Sequence, residues 1–323
     1  MTSDQLSTLS DTLFTTSVVI YAVAALAFCA ELAFGRTGVR PRNEPAMVGA
    51  GVGQVGDAEP ASAPSAAGPG GRWGLLGVLL TGIGALANAG VLVARGLASG
   101  RVPWGNMYEF GTAAVLAGAL AYLFFAVRVP AIRRIGVFVL GIVVIGMVLI
   151  GLYLYAESGP LIAALRSDWL VVHVSAAIIS FGIFLVSAVA SALYLVALRW
   201  RKSPSDGEPN AGGLVESLPS SAVLDRVAHR AAVFGFPIWT FAVIAGAIWA
   251  ESAWGRFWGW DPKETWAFIS WALYAAYLHA RTTAGWRGAR AAWVNLVAFA
   301  TLVFNLLFVN LVSAGLHSYG GVS

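Results

Sequence analysis

Apolar runs of about 20 residues follow one another along nearly the whole chain, near residues 12–34, 73–94, 108–127, 136–155, 169–198, 231–250, 264–281 and 291–314. Each is long enough to cross a hydrocarbon core of about 30 Å. Inside lipid a single segment can satisfy its backbone polar groups only as a helix. The pattern therefore predicts an all-α, polytopic integral membrane protein with about eight transmembrane helices. Asp4 and Asp11 precede the first run, where a cleavable signal would carry basic residues, so that run is expected to stay in the membrane.

Two stretches interrupt the pattern. Residues 43–71, with "GAGVGQVGDAEPASAPSAAGPGG", and residues 202–219, "KSPSDGEPNAGGLVESLP", are rich in Gly, Ala, Pro and Ser. They can bury little and read as flexible linkers. The expected organisation is a first helix within 1–42, a linker, helices two to five within 72–201, a second linker, and helices six to eight within 220–323. The short stretch "GPLIAALRSDW" is expected to hold a brief interfacial helix starting near Pro160.

Composition agrees: 58% of residues are hydrophobic and 11% charged, against roughly twice that charged share in a soluble domain. The net charge of +4 is no nucleic-acid footprint, because in such a chain the placement of Lys and Arg matters more than their sum. Of the 20 basic residues, 15 fall in or beside odd-numbered loops. Arg95, Arg101, Arg166, Arg256 and Lys263 fall in even-numbered ones. Odd loops are therefore expected on the cytoplasmic side and both termini outside. The excess of Arg (18) over Lys (2), with abundant Ala and Gly, hints at a bacterial source and hence a bacterial cell membrane. Cys29 is the single cysteine, so the chain cannot run dithiol chemistry by itself, and any thiol in its reaction belongs to a partner.

With this topology the four histidines sort by depth. His173 lies about one turn into the fifth run and His317 follows the eighth in "SAGLHSYG"; both are expected at the outer face. His279 lies 15 residues after Glu264, about 22 Å along a helix, in the inner half of the bilayer. His229 is expected at the cytoplasmic surface. Six of the thirteen tryptophans lie between 249 and 271, around the expected outer loop 251–264. A generic interfacial belt would spread over both faces. Two imidazoles beside a bank of indoles suit a planar iron macrocycle, with two axial positions and an apolar aromatic surface. Zinc would want three or four ligands, and no Ser or Cys nucleophile stands out. Asp261–Pro262–Lys263–Glu264 also reads as a helix start, with Asp261 as N-cap and Glu264 as its capping-box partner. Arg256 and Lys263 are the candidate cations for the macrocycle's carboxylates.

"WGRFWGWDPKETWAFISWALYAAYLHAR" resembles the tryptophan-rich WWD signature of haem-handling proteins. Together with "HVSAAIISFG", "GFPIWTFAVIAGAIWA", "TAGWRGARAAW" and "GLHSYG", it is similar to the CcsA/ResC family, the membrane half of the System II cytochrome c synthase. The likeness is strongest over 160–320, and "VPWGNMYEFG" at 102–111 matches a weaker element.

The resemblance implies that haem b crosses the membrane and is presented outside for thioether attachment to a CxxCH apocytochrome c. It implies His173 and His317 as external axial ligands and His279 as an intramembrane ligand. Trp254, Trp258, Trp260 and Asp261 would form the haem-binding edge. The implied partners are a CcsB/ResB-type membrane protein, the apocytochrome, a thioredoxin-like reductant acting on its thiols, and lipid. Two alternatives stay open at this point: a WWD-type haem exporter without ligation activity, and a b-type cytochrome carrying electrons to quinone.

Overall fold

The computed structural model describes residues 1–34, 69–157, 159, 161, 163–201, 217–283, 285–313 and 315–317. Eight α-helices account for most of them: α1 Ser3–Phe34, α2 Pro69–Ser99, α3 Met107–Arg128, α4 Gly136–Tyr153, α5 Asp168–Arg201, α6 Ser221–Trp254, α7 Pro262–Thr282 and α8 Ala289–Leu311. Short 3₁₀ turns occupy Pro130–Ile135, between α3 and α4, and Ala163–Leu165, before α5. The expected linkers lie largely outside the described residues, as does Pro160. The ends of both are structured: α2 already runs from Pro69, and Leu218 is buried.

Among the described residues, seven helices are long and apolar enough to cross a membrane. The exception is α7. Its 21 residues reach about 32 Å at 1.5 Å per residue, yet it carries Lys and Glu in its first turn and His279 and Arg281 in its last. It packs on α6 and α8, so neighbouring protein rather than lipid meets part of its surface. Helix α6 begins ten residues before the apolar run that predicted it. Ser220 caps it, its hydroxyl accepting from Val223 N at 3.4 Å, and the amphipathic turn Ser221–Arg230 extends the helix beyond the bilayer-spanning part.

Hydrophobic burial does not drive helices together within lipid; close backbone approach and interhelical hydrogen bonds do. Both occur here. A Cβ at Gly182 of α5 would fall 2.4 Å from the Ala117 carbonyl carbon of α3, so only glycine admits this crossing. On α8, Asn295 donates to the hydroxyls of Ser187 and Ser191 of α5 at 2.8 and 2.7 Å. At the centre of α5–α8, Phe184 and Tyr274 stack at 3.7 Å. Helix α1 pairs mainly with α2 and touches α4, at the periphery.

One end of the bundle gathers the segments that matter for function. Ser3 bonds the Ala98 carbonyl, Tyr155 the Asp11 carboxylate, Arg101 the Gly159 carbonyl, and Trp249 Nε1 the Ala164 carbonyl at 3.0 Å. The N-terminus, the α2–α3 and α4–α5 connections, the α6–α7 loop and the C-terminal segment thus share that end. Arg134, Arg281 and the α7–α8 connection lie at the other.

Candidate functional site

A cavity opens at the gathered end between α5, α6, α7, α8 and the α2–α3 connection. His173 and His317, 144 positions apart in sequence, both line it. His173 on α5 gives its Nδ1 to the Ala242 carbonyl of α6 at 2.7 Å. That carbonyl is reachable because Gly246 follows one turn later. A Cβ there would sit 2.7 Å from both Cε1 and Nδ1 of the imidazole. Trp249, one further turn along α6, lies parallel to the ring at 6.1 Å with planes 7° apart.

His317 is placed by Asp261. The side chain of Asp261 caps α7 by accepting from Lys263 N, while Glu264 reaches back to Asp261 N, completing the expected capping box. The same carboxylate accepts His317 Nδ1 at 2.9 Å and Leu316 N at 2.8 Å. Burial alone would raise the Asp261 pKa, but these hydrogen bonds outweigh it and hold the group at about 2. Burial pushes His317 below its usual value, the Asp261 contact opposing it only in part. At neutral pH the arrangement is therefore a carboxylate accepting from a neutral imidazole, with the proton on Nδ1 and the lone pair on Nε2. His173 shows the same pattern towards its carbonyl. An imidazole oriented by a second acceptor in this way is the usual state of a metal-ligating histidine.

Indoles surround both rings. Trp249 lies 5.6 Å from His317, so that one tryptophan neighbours both histidines; Trp254 is 4.8 Å from His317. Trp239, Trp254 and Trp258 line the cavity, and Trp104 faces it from the α2–α3 connection. Trp260 does not line it. The residue is 64% exposed and its backbone adopts φ 57°, a strained value for a large residue. Trp260 and Asp261, both expected at the haem-binding edge, thus lie outside the cavity lining, with Asp261 holding His317 through its carboxylate. Of the two candidate cations only Lys263 lines it; Arg256 is paired with Glu264 at 3.2 Å. His279 lies in the last turn of α7 at the opposite end, exposed, and takes no part in the cavity. His229 packs edge-on against Tyr277 near that end.

The cavity is flanked by two arms of similar build. In each, an arginine meets a buried glutamate eight residues on, Arg101 with Glu109 at 2.9 Å and Arg256 with Glu264. Each glutamate accepts the amide of the glycine in a Trp–Gly step: Gly105 N at 2.7 Å and Gly259 N at 2.8 Å. Each follows an N-cap, Asn106 or Asp261, by three residues. The tryptophans so held are Trp104 and Trp258. The signal was present in "RVPWGNMYE" and "RFWGWDPKE", but it is local, and the surrounding spans share no pattern. Trp104, Trp239, Trp249, Gly246, Asn305 and Asn310 were likewise not singled out, because only packing shows which helix face meets the cavity.

Residues 104–317 match a protein family described as cytochrome c assembly protein. Similar proteins include cytochrome c biogenesis protein CcsA of Gloeobacter violaceus, 35% identical over 298 residues that cover 77% of this chain and 87% of the relative. CcsA of Guillardia theta is 36% identical over 243 residues, covering 71% of this chain and 80% of that protein. Among solved structures, cytochrome c haem lyase CcmF shares the fold with a TM-score of 0.59 at 18% identity. The match covers 95% of this chain but 47% of that one, so the chain spans about half its length.

Proposed function

The chain belongs to the cytochrome c assembly protein family and serves cytochrome c biogenesis, and on that premise we propose that its cavity holds haem b between His173 and His317 for covalent attachment to an apocytochrome c. The observation carrying this reading is the convergence of two distant imidazoles on one tryptophan-lined cavity, each with Nδ1 engaged by a fixed oxygen. Haem is the substrate here. Its iron takes the two Nε2 atoms, and its faces and edges take the indoles through area burial and offset stacking.

The chemistry asked of the chain is modest. Each cysteine thiol of a CxxCH apocytochrome adds across one haem vinyl group: the S–H and the π bond break, and a C–S and a C–H bond form. Atoms and electrons balance without an oxidant. The protein's contribution is to hold the ring so that vinyl and thiol meet, and positioning of that kind supplies several orders of magnitude in rate. The incoming CxxCH histidine then replaces one of the two imidazoles. A thioredoxin-like reductant keeps the apocytochrome thiols reduced, since Cys29 is the chain's single cysteine.

The cavity end faces outward in this proposal, across a bacterial cell membrane. The five basic residues at that end all have structural employment: Arg95 and Arg101 on Glu109, Arg256 on Glu264, Arg166 on the Leu161 carbonyl and Lys263 on Asn310. The other 15 are left to retain the opposite end in the cytoplasm. His279, exposed towards that end, is the ligand of an inner haem whose second ligand comes from a CcsB/ResB-type partner.

The test is co-expression with a CxxCH apocytochrome and a ResB-type partner. The complex should carry low-spin haem and yield covalent cytochrome. His173→Ala and His317→Ala should each lose the cavity haem and maturation, whereas His279→Ala should lose the inner haem while the cavity haem persists. Unaltered spectra and maturation in both cavity variants would end the assignment.

A further inference from the structure

Lys263 lies in the first turn of α7, and three charged side chains there diverge. Asp261 turns to the C-terminal segment, both its oxygens accepting from His317, Leu316 and the Lys263 amide. Glu264 turns to the preceding loop, its oxygens accepting from Arg256, Gly259 and Asp261. Lys263 turns into the cavity, where its ammonium donates to Asn310 Oδ1. The Asn310 amide is oriented by its other end, Nδ2 donating to the Leu306 carbonyl at 2.6 Å. Asn305, 6% exposed, also lines the cavity. Its Nδ2 donates to the Lys263 carbonyl at 3.2 Å, and its Oδ1 is buried with no partner among the described residues.

An ammonium has three protons to donate, and here one goes to a neutral amide. The two nearest carboxylates are spent on other donors. Among the described residues no carboxylate lies within ion-pair distance of the ammonium, and Asp261 acts on it only from further away; a cation so placed against a mostly apolar cavity is costly. The first turn of α7 adds the positive end of its helix dipole to the same place. The cavity thus lacks negative charge at one corner, between α7 and α8.

We propose that Lys263, its ammonium placed by Asn310, forms a carboxylate-binding corner that recognises the acid groups on one edge of the bound macrocycle. The proposal rests on the reading of the cavity as a haem site and names the feature of haem that the site selects. Haem b bears both propionates on one edge and its vinyl groups towards the opposite side. A ring held by its acid edge at Lys263 turns its vinyl edge away from α7 and α8. The lining there comes from α5, α6 and the segment Trp104–Met107 at the start of α3, which packs on α5 as α8 does. The corner would therefore decide where the thiols must arrive. Arg256, the other candidate cation, is excluded by its pairing with Glu264.

The full-length chain in nanodiscs is titrated with iron protoporphyrin IX and, separately, with its dimethyl ester, following the low-spin Soret band. Wild type should bind the diacid roughly tenfold or more tightly than the diester, the scale of a hydrogen-bonded charge. Lys263→Met should bring the ratio near one while the low-spin spectrum persists, and Lys263→Arg should keep the preference. Asn310→Asp gives the ammonium an internal counter-charge and should lose the preference too, which guards against a folding defect in any one variant. Equal wild-type affinity for diacid and diester, or a preference that survives both Lys263→Met and Asn310→Asp, overturns the corner alone. Failure of either porphyrin to give a low-spin spectrum sensitive to His173 and His317 overturns the haem reading and the corner with it.

Discussion

Replacing Asp261 by Asn should separate two jobs that one carboxylate performs. Its Oδ1 accepts from Lys263 N at 3.1 Å and from His317 Nδ1 at 2.9 Å, and its Oδ2 accepts from Leu316 N at 2.8 Å. Asparagine is as good an N-cap as aspartate, so α7 should keep its start and the fold its stability. The amide, however, sets an N–H against the Leu316 N–H and leaves a neutral acceptor for His317. Losing a hydrogen bond to a charged group costs about 1.5–3 kcal/mol, and removing an outer-shell partner of a metal-bound histidine typically costs ten- to hundredfold in affinity. The two routes agree on a ten- to hundredfold loss of low-spin haem affinity at nearly unchanged thermal stability. Haem titration and differential scanning calorimetry on the purified chain measure both. Combined with His317→Ala, Asp261→Asn should add almost nothing, since both act through one imidazole. Wild-type affinity in Asp261→Asn, or full additivity with His317→Ala, would refute the idea that Asp261 works by placing His317.

Three further outcomes follow from the same geometry. Gly246→Ala puts a methyl group 2.7 Å from the His173 ring, so the imidazole must leave the Ala242 carbonyl. Low-spin haem should be lost with about 1–3 kcal/mol of destabilisation, while Gly82→Ala, which meets nothing within 4 Å, serves as the neutral control in the same spectra and melts. Glu109→Ala strands Arg95 and Arg101 at a fully buried site and should cost about 3–5 kcal/mol, read as a fall in melting temperature with new proteolytic cleavage near Trp104. Acidification should undock the C-terminal segment in a set order. The lowered pKa of His317 means that the undocked state binds its proton better, so docking is fullest above the ordinary value of 6.5 and weakens as pH falls below it. The contribution of Asp261 is present above its unfolded value of 3.8 and is lost only as pH falls through about 2. Hydrogen exchange at residues 315–317 should rise below about pH 6.5 while the helices stay protected; unchanged exchange down to pH 4 would contradict this order.

Much of the architecture was legible in the chain because it depends on near-neighbour chemistry. Runs of apolar residues long enough for the bilayer mark the helices, and lipid allows such segments no other backbone solution. The start of α7 was legible for the same reason: Asp261, Pro262 and Glu264 satisfy the first amides of their own helix, whatever surrounds them. The limits of α6 were not, since its first ten residues are held by an amphipathic turn that hydropathy passes over.

The residues that matter most divide along the same line. Histidine type, indole clustering and their shared end of the chain's alternating spans were readable from the sequence, because composition and spacing carry them. Packing alone decided that Trp260 turns outward while Trp104, Trp239 and Trp249 turn in, and that Arg256 is spent on Glu264 while Lys263 faces the cavity. It also decided that a helical carbonyl at Ala242, uncovered by Gly246, orients His173. Such choices depend on which helix faces meet, and contacts such as His173 with Ala242, 69 positions apart, are set by the fit of whole helices, which no local pattern records.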